Sequence, residues 1–486
     1  MKKFIISTLV SIFSLSAPNI SIAQENNEEK LSVKYQVNKI NCLYNFILAL
    51  TDDYSSSKTL KNIFINSKYN NEKYKSLIKN FEDININQYY YKHLGYPNSR
   101  QMYKSIYQFF ITSSALSTDI NDFSQRTIGY LTFSEHKKLF NIIREFEPVY
   151  NDLIWSKSQE DVLFYLNEME KTVKKVDINN LFKKASTFYN ADWSNEIPFI
   201  ITFYPVPDKK GHSTATPMGN VETVGVLSQQ KDYEDTFSIM FHEMCHSLFE
   251  SQSPEVQNTI DDYFKNSSSQ YSIYAYNYLN EVLATSIGNG WSYKQIKGEL
   301  NKTQWYNNNY IENMSKALFP LVDSYLTQSK EIDSNFIKEY ISIFSKTFPN
   351  AIYDYSNIFF NLNIYTNFPK DETKIIKSDL RKNFRIAGLS VFSDIKNKDD
   401  FINNYSLGQN SNLLIFNDRK VIDQIFDLGK YKSKIIDNND FILSSVENKS
   451  ANIIIYLKDI NNFKKVISYF NSNKFINPQS PIYIIK

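Results

Sequence analysis

The sequence predicts an α+β protein that is predominantly helical and ends in a small α/β domain. Three observations carry this. Apolar residues recur at helical spacing over residues 37–181. Two short β-rich runs, 197–204 and 220–226, break that pattern in the middle of the chain. Beyond about residue 380, apolar strands alternate with helical stripes. A 3.6-residue period marks a helix with one buried face, and a short solid apolar run marks a buried strand. A chain of 486 residues, 42% of them hydrophobic, is long enough for two or three domains. The expected boundaries are a leader over 1–23, a helical region over 24–190, a central domain over 191–370 and the α/β domain over 380–486.

The leader is read from its own pattern. Lys2 and Lys3 form a basic start, residues 4–15 are mostly apolar, and Ser21-Ile22-Ala23 has the small-x-small form of a cleavage site. This is a secretory signal peptide cut before Gln24, so the protein is expected to be exported, periplasmic or secreted. The apolar stretch is short for a span, no Cys lies near the cut, and no stable membrane anchor is expected. Losing Lys2 and Lys3 takes the formal net charge from +2 to zero. Such a chain has no overall electrostatic pull toward nucleic acid. Cys42 and Cys245 are the two cysteines, too few for a disulfide scaffold. They form either one bridge or two buried thiols.

In the helical region Val37, Ile40, Tyr44, Ile47 and Leu50 make one stripe, Tyr74, Leu77, Ile78 and Phe81 a second, and Leu139, Ile142, Ile143 and Phe146 a third. The run 197–204 ends at Pro205 and Pro207, a polar loop covers 208–216, and 220–226 is the second strand. A helix follows, with Asp232 as N-cap and Glu234 and Asp235 in its first turn, where acids suit the helix dipole. Further helices are expected over 254–362. In the last region 412–416 is a strand followed by Val421, Ile422, Ile425 and Phe426 at helical spacing. Strand 452–457 is followed in the same way by Phe463, Val466, Ile467 and Phe470, and 481–485 is a final strand. This alternation implies a partly parallel sheet.

The chemistry lies in His242-Glu243-Met244-Cys245-His246. Residues four apart on a helix share a face, so both imidazoles can reach one zinc ion while Glu243 stands beside it as the general base. The chain has only five His, which makes this five-residue pattern hard to reach by chance. A catalytic zinc needs a third protein ligand. The positions where a third His would extend the motif are Phe249 and Gln252, and His93, His136 and His212 all lie upstream.

Downstream stands Asn280-Glu281-Val282-Leu283-Ala284. H-E-x-x-H followed by N-E-x-x-A resembles the gluzincin superfamily of zinc metallopeptidases, over residues from about 195 to 290. The resemblance implies a zincin-like catalytic domain, zinc as the cofactor, and a peptide or protein substrate. It also implies His242, His246 and Glu281 as ligands with Glu243 as the catalytic residue. Glu281, Ala284, Thr285 and Gly288 share a small-residue helical face that suits a close approach to the metal helix. One departure is Thr285, where a common gluzincin pattern has an Asp supporting a ligand His. The resemblance further implies that strand 220–226 is an edge that pairs with extended substrate, and that a Tyr or His stabilises the oxyanion. His212, Tyr353 and Tyr355 are candidates among 35 Tyr. Glu250, Glu255, Asp261 and Asp262 are rival third ligands. Two other activities remain open, a zinc hydrolase of non-peptide substrates and an inactive binding protein on the same fold.

Overall fold

A computed structural model of the protein describes residues from Val33 to Ile485, apart from 53–56, 85, 87–90, 93–94, 96–102, 105, 210–214, 394, 396–398, 400, 402–410, 426–438 and 448. The leader over 1–23, His93 and His212 lie outside the described residues. The architecture is mixed α/β and predominantly helical. No described helix is long and apolar enough to cross a membrane.

The first stripe becomes the helix Lys39–Leu50, capped by Asn38, whose side chain accepts from the Ile40 and Asn41 amides. Every residue from Ile40 to Leu50 is buried, so this helix runs through the middle of its layer rather than along its surface. The second and third stripes become Glu72–Glu82 and Phe133–Tyr150. Thr132 and Glu135 form a capping box at the start of the latter, which satisfies amides that the helix leaves open.

Four strands make the first sheet: β1 (Val33–Gln36), β2 (Phe199–Val206), β3 (Ala215–Met218) and β4 (Val221–Leu227). Their order is β1-β2-β4-β3, with β1, β2 and β4 parallel and β3 antiparallel to β4. β2 is buried along its whole length, as expected of a strand with helices on both faces. Tyr204, Val206 and Met218 pack into the N-terminal helical core. Phe199, Ile201, Phe203, Val224 and Val226 face the second core, against Phe237, Phe241 and Met244 of the helix Tyr233–Glu250. The sheet is thus the wall between two helical layers.

Strand 220–226 is not the edge that the resemblance implied. Gly219, at φ +66°, turns the chain so that β3 folds back along β4 and takes the outer position. β3 begins inside the stretch read as a polar loop, 208–216, and runs beyond it. Asp232 occupies the N-cap position but makes no side-chain cap bond; Glu234 and Asp235 do lie in the first turn.

The second sheet holds β5 (Asn361–Thr366), β6 (Gly388–Phe392), β7 (Ser411–Phe416), β8 (Phe441–Glu447), β9 (Ser450–Tyr456) and β10 (Ile482–Ile484), in the order β10-β8-β9-β7-β5-β6. β5, β6, β7 and β9 are parallel, and β8 and β10 run antiparallel to their neighbours. The expected strands at 412–416, 452–457 and 481–485 are β7, β9 and β10. The sheet starts earlier than residue 380: β5 begins where the stretch expected to be helical, 254–362, ends, and lies within the central domain expected over 191–370. A short buried apolar run carries no period that separates strand from helix. Nor is this sheet walled off. Ile364, Leu413, Ile453 and Ile455 belong to the same continuous core as Phe241 and Met244.

That shared core has a consequence for truncation. A chain ending at residue 375 keeps His242, His246 and Glu281 but strips Leu413, Ile453 and Ile455 from their packing partners. Leaving so much apolar surface bare is expected to give aggregated protein with no cooperative thermal transition. Circular dichroism of the truncated chain checks this; a soluble product with a sharp melt would contradict it.

Candidate metal centre

The helix Tyr233–Glu250 carries His242 and His246 one turn apart. Opposite it, the helix Leu279–Thr285 carries Glu281 and runs on as a π-helical turn, Ser286–Ser292. The two helices touch at a glycine. A Cβ placed on Gly288 would stand 2.5 Å from the Cα of His242. The small-residue face therefore ends in a contact only glycine allows, and this contact sets how closely Glu281 approaches the imidazoles.

His242 Nε2 and His246 Nε2 are 3.0 Å apart. Each ring is held from behind: Asn289 Oδ1 lies 3.2 Å from His242 Nδ1, and Asn280 Oδ1 lies 3.0 Å from His246 Nδ1. These acceptors assign the proton to Nδ1 on both rings, which leaves a lone pair on each Nε2. Burial, and then the neighbouring His246, push the His242 pKa well below the usual imidazole value, so it stays neutral. Glu281 Oε2 is 3.8 Å from His242 Nε2, and Oε1 is 3.9 Å from His246 Nε2. Oε2 is buried without a hydrogen-bond partner. Three acceptors thus converge with no donor among them, their ligand atoms within 4.8 Å of one another. Such a set is satisfied by a cation, and two imidazole nitrogens with one carboxylate are borderline donors that suit zinc better than magnesium. The donor set therefore fits the metal that the motif implies.

Two more carboxylates stand close by. Glu243 is half-buried, and burial with the Glu281 charge lifts its pKa to about 7 against the opposing pull of His246. Glu222 is fully buried on β4, in register with Ile201 and so on the sheet face that the metal helix covers. Neither of its oxygens has a hydrogen-bond partner. Burial, and then Glu243, hold its pKa well above the usual carboxylate range.

The structure brings together His242, Glu243, His246 and Glu281. The rival ligands lie elsewhere. Asp261 is buried and ion-paired with Lys265, while Glu255 and Asp262 are exposed; Glu250 joins no ligand cluster among the described residues. Thr285 does not support a ligand His; its buried hydroxyl has no partner, and Asn280 and Asn289 take that role. Tyr355 is not at the site either. Its hydroxyl bonds Ser444 Oγ at 3.1 Å, and its ring packs on Phe470 beside the second sheet. Tyr353 packs at the edge of the shared core, where its carbonyl accepts from the Ile476 amide. The tyrosine at the site is Tyr306, whose ring stacks on His242 with centroids 6.0 Å apart and planes at 23°. Burial, and then Glu281, push its pKa up to about 12, so its hydroxyl stays a donor. Cys42 and Cys245 are separate buried thiols, not a bridge.

Comparison with family models, with curated proteins and with solved structures gives no match to this chain.

The contact at Gly288 yields a direct expectation. Gly288→Ala forces the two helices apart and is expected to lower unfolding stability by about 1–3 kcal/mol, the usual cost of overpacking. Urea titration reads this, and an unchanged midpoint and slope would show that the close approach is not a constraint.

Proposed function

We propose that this protein is an exported zinc-dependent peptidase, with a gluzincin-type centre in a zincin-like domain. What carries the reading is the convergence of two imidazole lone pairs and one carboxylate on a single point, with Glu243 next to it. His242 and His246 would hold the ion through Nε2, and Glu281 would complete the set. Zinc, when bound, supplies a Lewis acid that polarises a carbonyl and acidifies water. Asn280 and Asn289 fix the imidazole tautomer and ring angle, which is how outer partners tune such a site.

The chain's own groups do the rest. Glu243 accepts a proton from the attacking water and delivers it to the departing nitrogen. In that step the water oxygen bonds to the carbonyl carbon and the C–N bond breaks. Tyr306 keeps its O–H beside His242, and in this reading its role is to meet the negative charge that grows on the carbonyl oxygen. β3 is the outer strand beside the metal helix, and an extended peptide paired to it would be held through its main chain with little demand on side chains. The leader over 1–23 directs this activity outside the cytoplasm, to peptide or protein substrates in the periplasm or medium.

The test pairs turnover with metal content. Wild type is expected to cleave members of a mixed peptide library, to stop on chelation and to recover with added zinc. Glu243→Gln should lower turnover by at least about 100-fold, within the range for loss of a general base, and keep its zinc. If a zinc-loaded Glu243→Gln protein stays within about tenfold of wild type, Glu243 is not the base.

A further inference from the structure

The segment that leads into β6 sends one residue to the tyrosine beside the centre. Arg385 follows the helix Lys370–Asn383 and precedes β6, with its side chain exposed. Its guanidinium carbon stands 5.2 Å from the Tyr306 ring centroid. One terminal nitrogen donates to Tyr306 Oη at 2.8 Å and the other to the Asn307 carbonyl at 3.3 Å. Tyr306 in turn stacks on His242. The order is guanidinium, phenol ring, metal-site imidazole, so a fixed positive charge sits one aromatic ring away from the centre.

Among the described residues this cation has no counter-ion in an ion pair, whereas Arg126 pairs with Asp122 and Arg419 with Asp423. The acids nearby are otherwise engaged. Asp354 accepts from the Tyr310 hydroxyl at 2.7 Å and from Ser356. Glu312 accepts from the Trp305 and Tyr306 amides, both at 2.8 Å, and pairs with Lys316. Glu281 belongs to the metal set. The Glu312 bonds also hold the 305–306 segment in place, so the surface beneath the guanidinium is rigid. Two of the five N–H donors of Arg385 are used on neutral acceptors, and the remainder are open to an incoming group. An exposed guanidinium fixed over an aromatic face and left without an acid is a fork for a carboxylate.

We propose that Arg385 is the anchor for a carboxylate of the substrate, so that the peptidase favours peptides carrying a negative charge near the scissile bond. The inference rests on the peptidase reading above. Two groups share this chemistry, the C-terminal carboxylate of a peptide and an Asp or Glu side chain within it. The C-terminal sheet is then part of substrate recognition and not an appendage.

Zinc-loaded Glu243→Gln protein, which holds peptide without cutting it, gives a binding readout free of turnover. Calorimetry compares N-acetylated peptides in matched sets: free C-terminus against amide, and internal Glu against Gln with the C-terminus amidated. At low salt a carboxylate-bearing member is expected to bind about fivefold more tightly than its neutral match, a charge-assisted contact discounted for exposure. Adding Arg385→Gln should erase that preference, and Arg385→Lys should restore it only in part, because a point charge lacks the fork. The set that shows the preference identifies which carboxylate is read. Equal binding of charged and neutral peptides, or a preference that survives Arg385→Gln, overturns the inference; if wild type still cleaves peptides in that case, the peptidase reading stands. If no peptide, charged or neutral, is bound or cleaved, the peptidase reading falls and this inference falls with it.

Discussion

Two helices approach so closely at Gly288 that a single added carbon would strike the backbone of His242. The rest of the centre depends on that contact. It brings Glu281 within 4 Å of both imidazole Nε2 atoms and lets the π-helical turn present Asn289 to His242. A larger residue at this point would move Glu281 and Asn289 together. The next glycine works in the same sense: a Cβ on Gly290 would stand 2.8 Å from the Trp305 ring. That ring precedes Tyr306, so one short glycine-bearing turn sets both the ligand side and the tyrosine side of the centre.

The electrostatics follow from burial. His242, Glu243 and Glu222 all sit where charge is poorly solvated, so the imidazole is driven neutral and the carboxylates upward in pKa. Two lone pairs facing each other at 3.0 Å, beside a carboxylate oxygen with no donor, are unfavourable unless a cation joins them. On the zinc-site reading, stability and metal affinity are linked, because an ion bound only by the folded chain stabilises it. A cation there would also lower the pKa of the carboxylates that face it.

The centre was legible in the sequence where it depends on local periodicity. His242, Glu243 and His246 follow from a spacing of four on one helix, and Glu281 from its place in the next motif with a small-residue face that includes Gly288. The layout of helices and the partly parallel C-terminal sheet were legible for the same reason. What stayed hidden depends on contacts between distant segments. Tyr306 is one of 35 tyrosines and lies in a loop with no period. Its importance comes from the ring it stacks on and from Arg385, 79 residues away. Asn289 lies two helical turns beyond Glu281, but its role depends on the π-helical turn. β3 begins in a stretch read as a loop, and β5 begins at the end of a stretch read as helical. The Cys42–Cys245 alternative also needed three-dimensional placement to decide.

The central claim is that His242, His246 and Glu281 form one zinc site. Zinc per chain, measured by equilibrium dialysis at fixed pH against a zinc buffer, tests it most directly. The account predicts one zinc per wild-type chain, a loss of at least about tenfold in affinity for Glu281→Ala, and full loading for Asp262→Ala, which removes an exposed acid outside the cluster. A wild-type chain that binds no zinc, or a folded Glu281→Ala protein that binds it as tightly as wild type, would contradict the account.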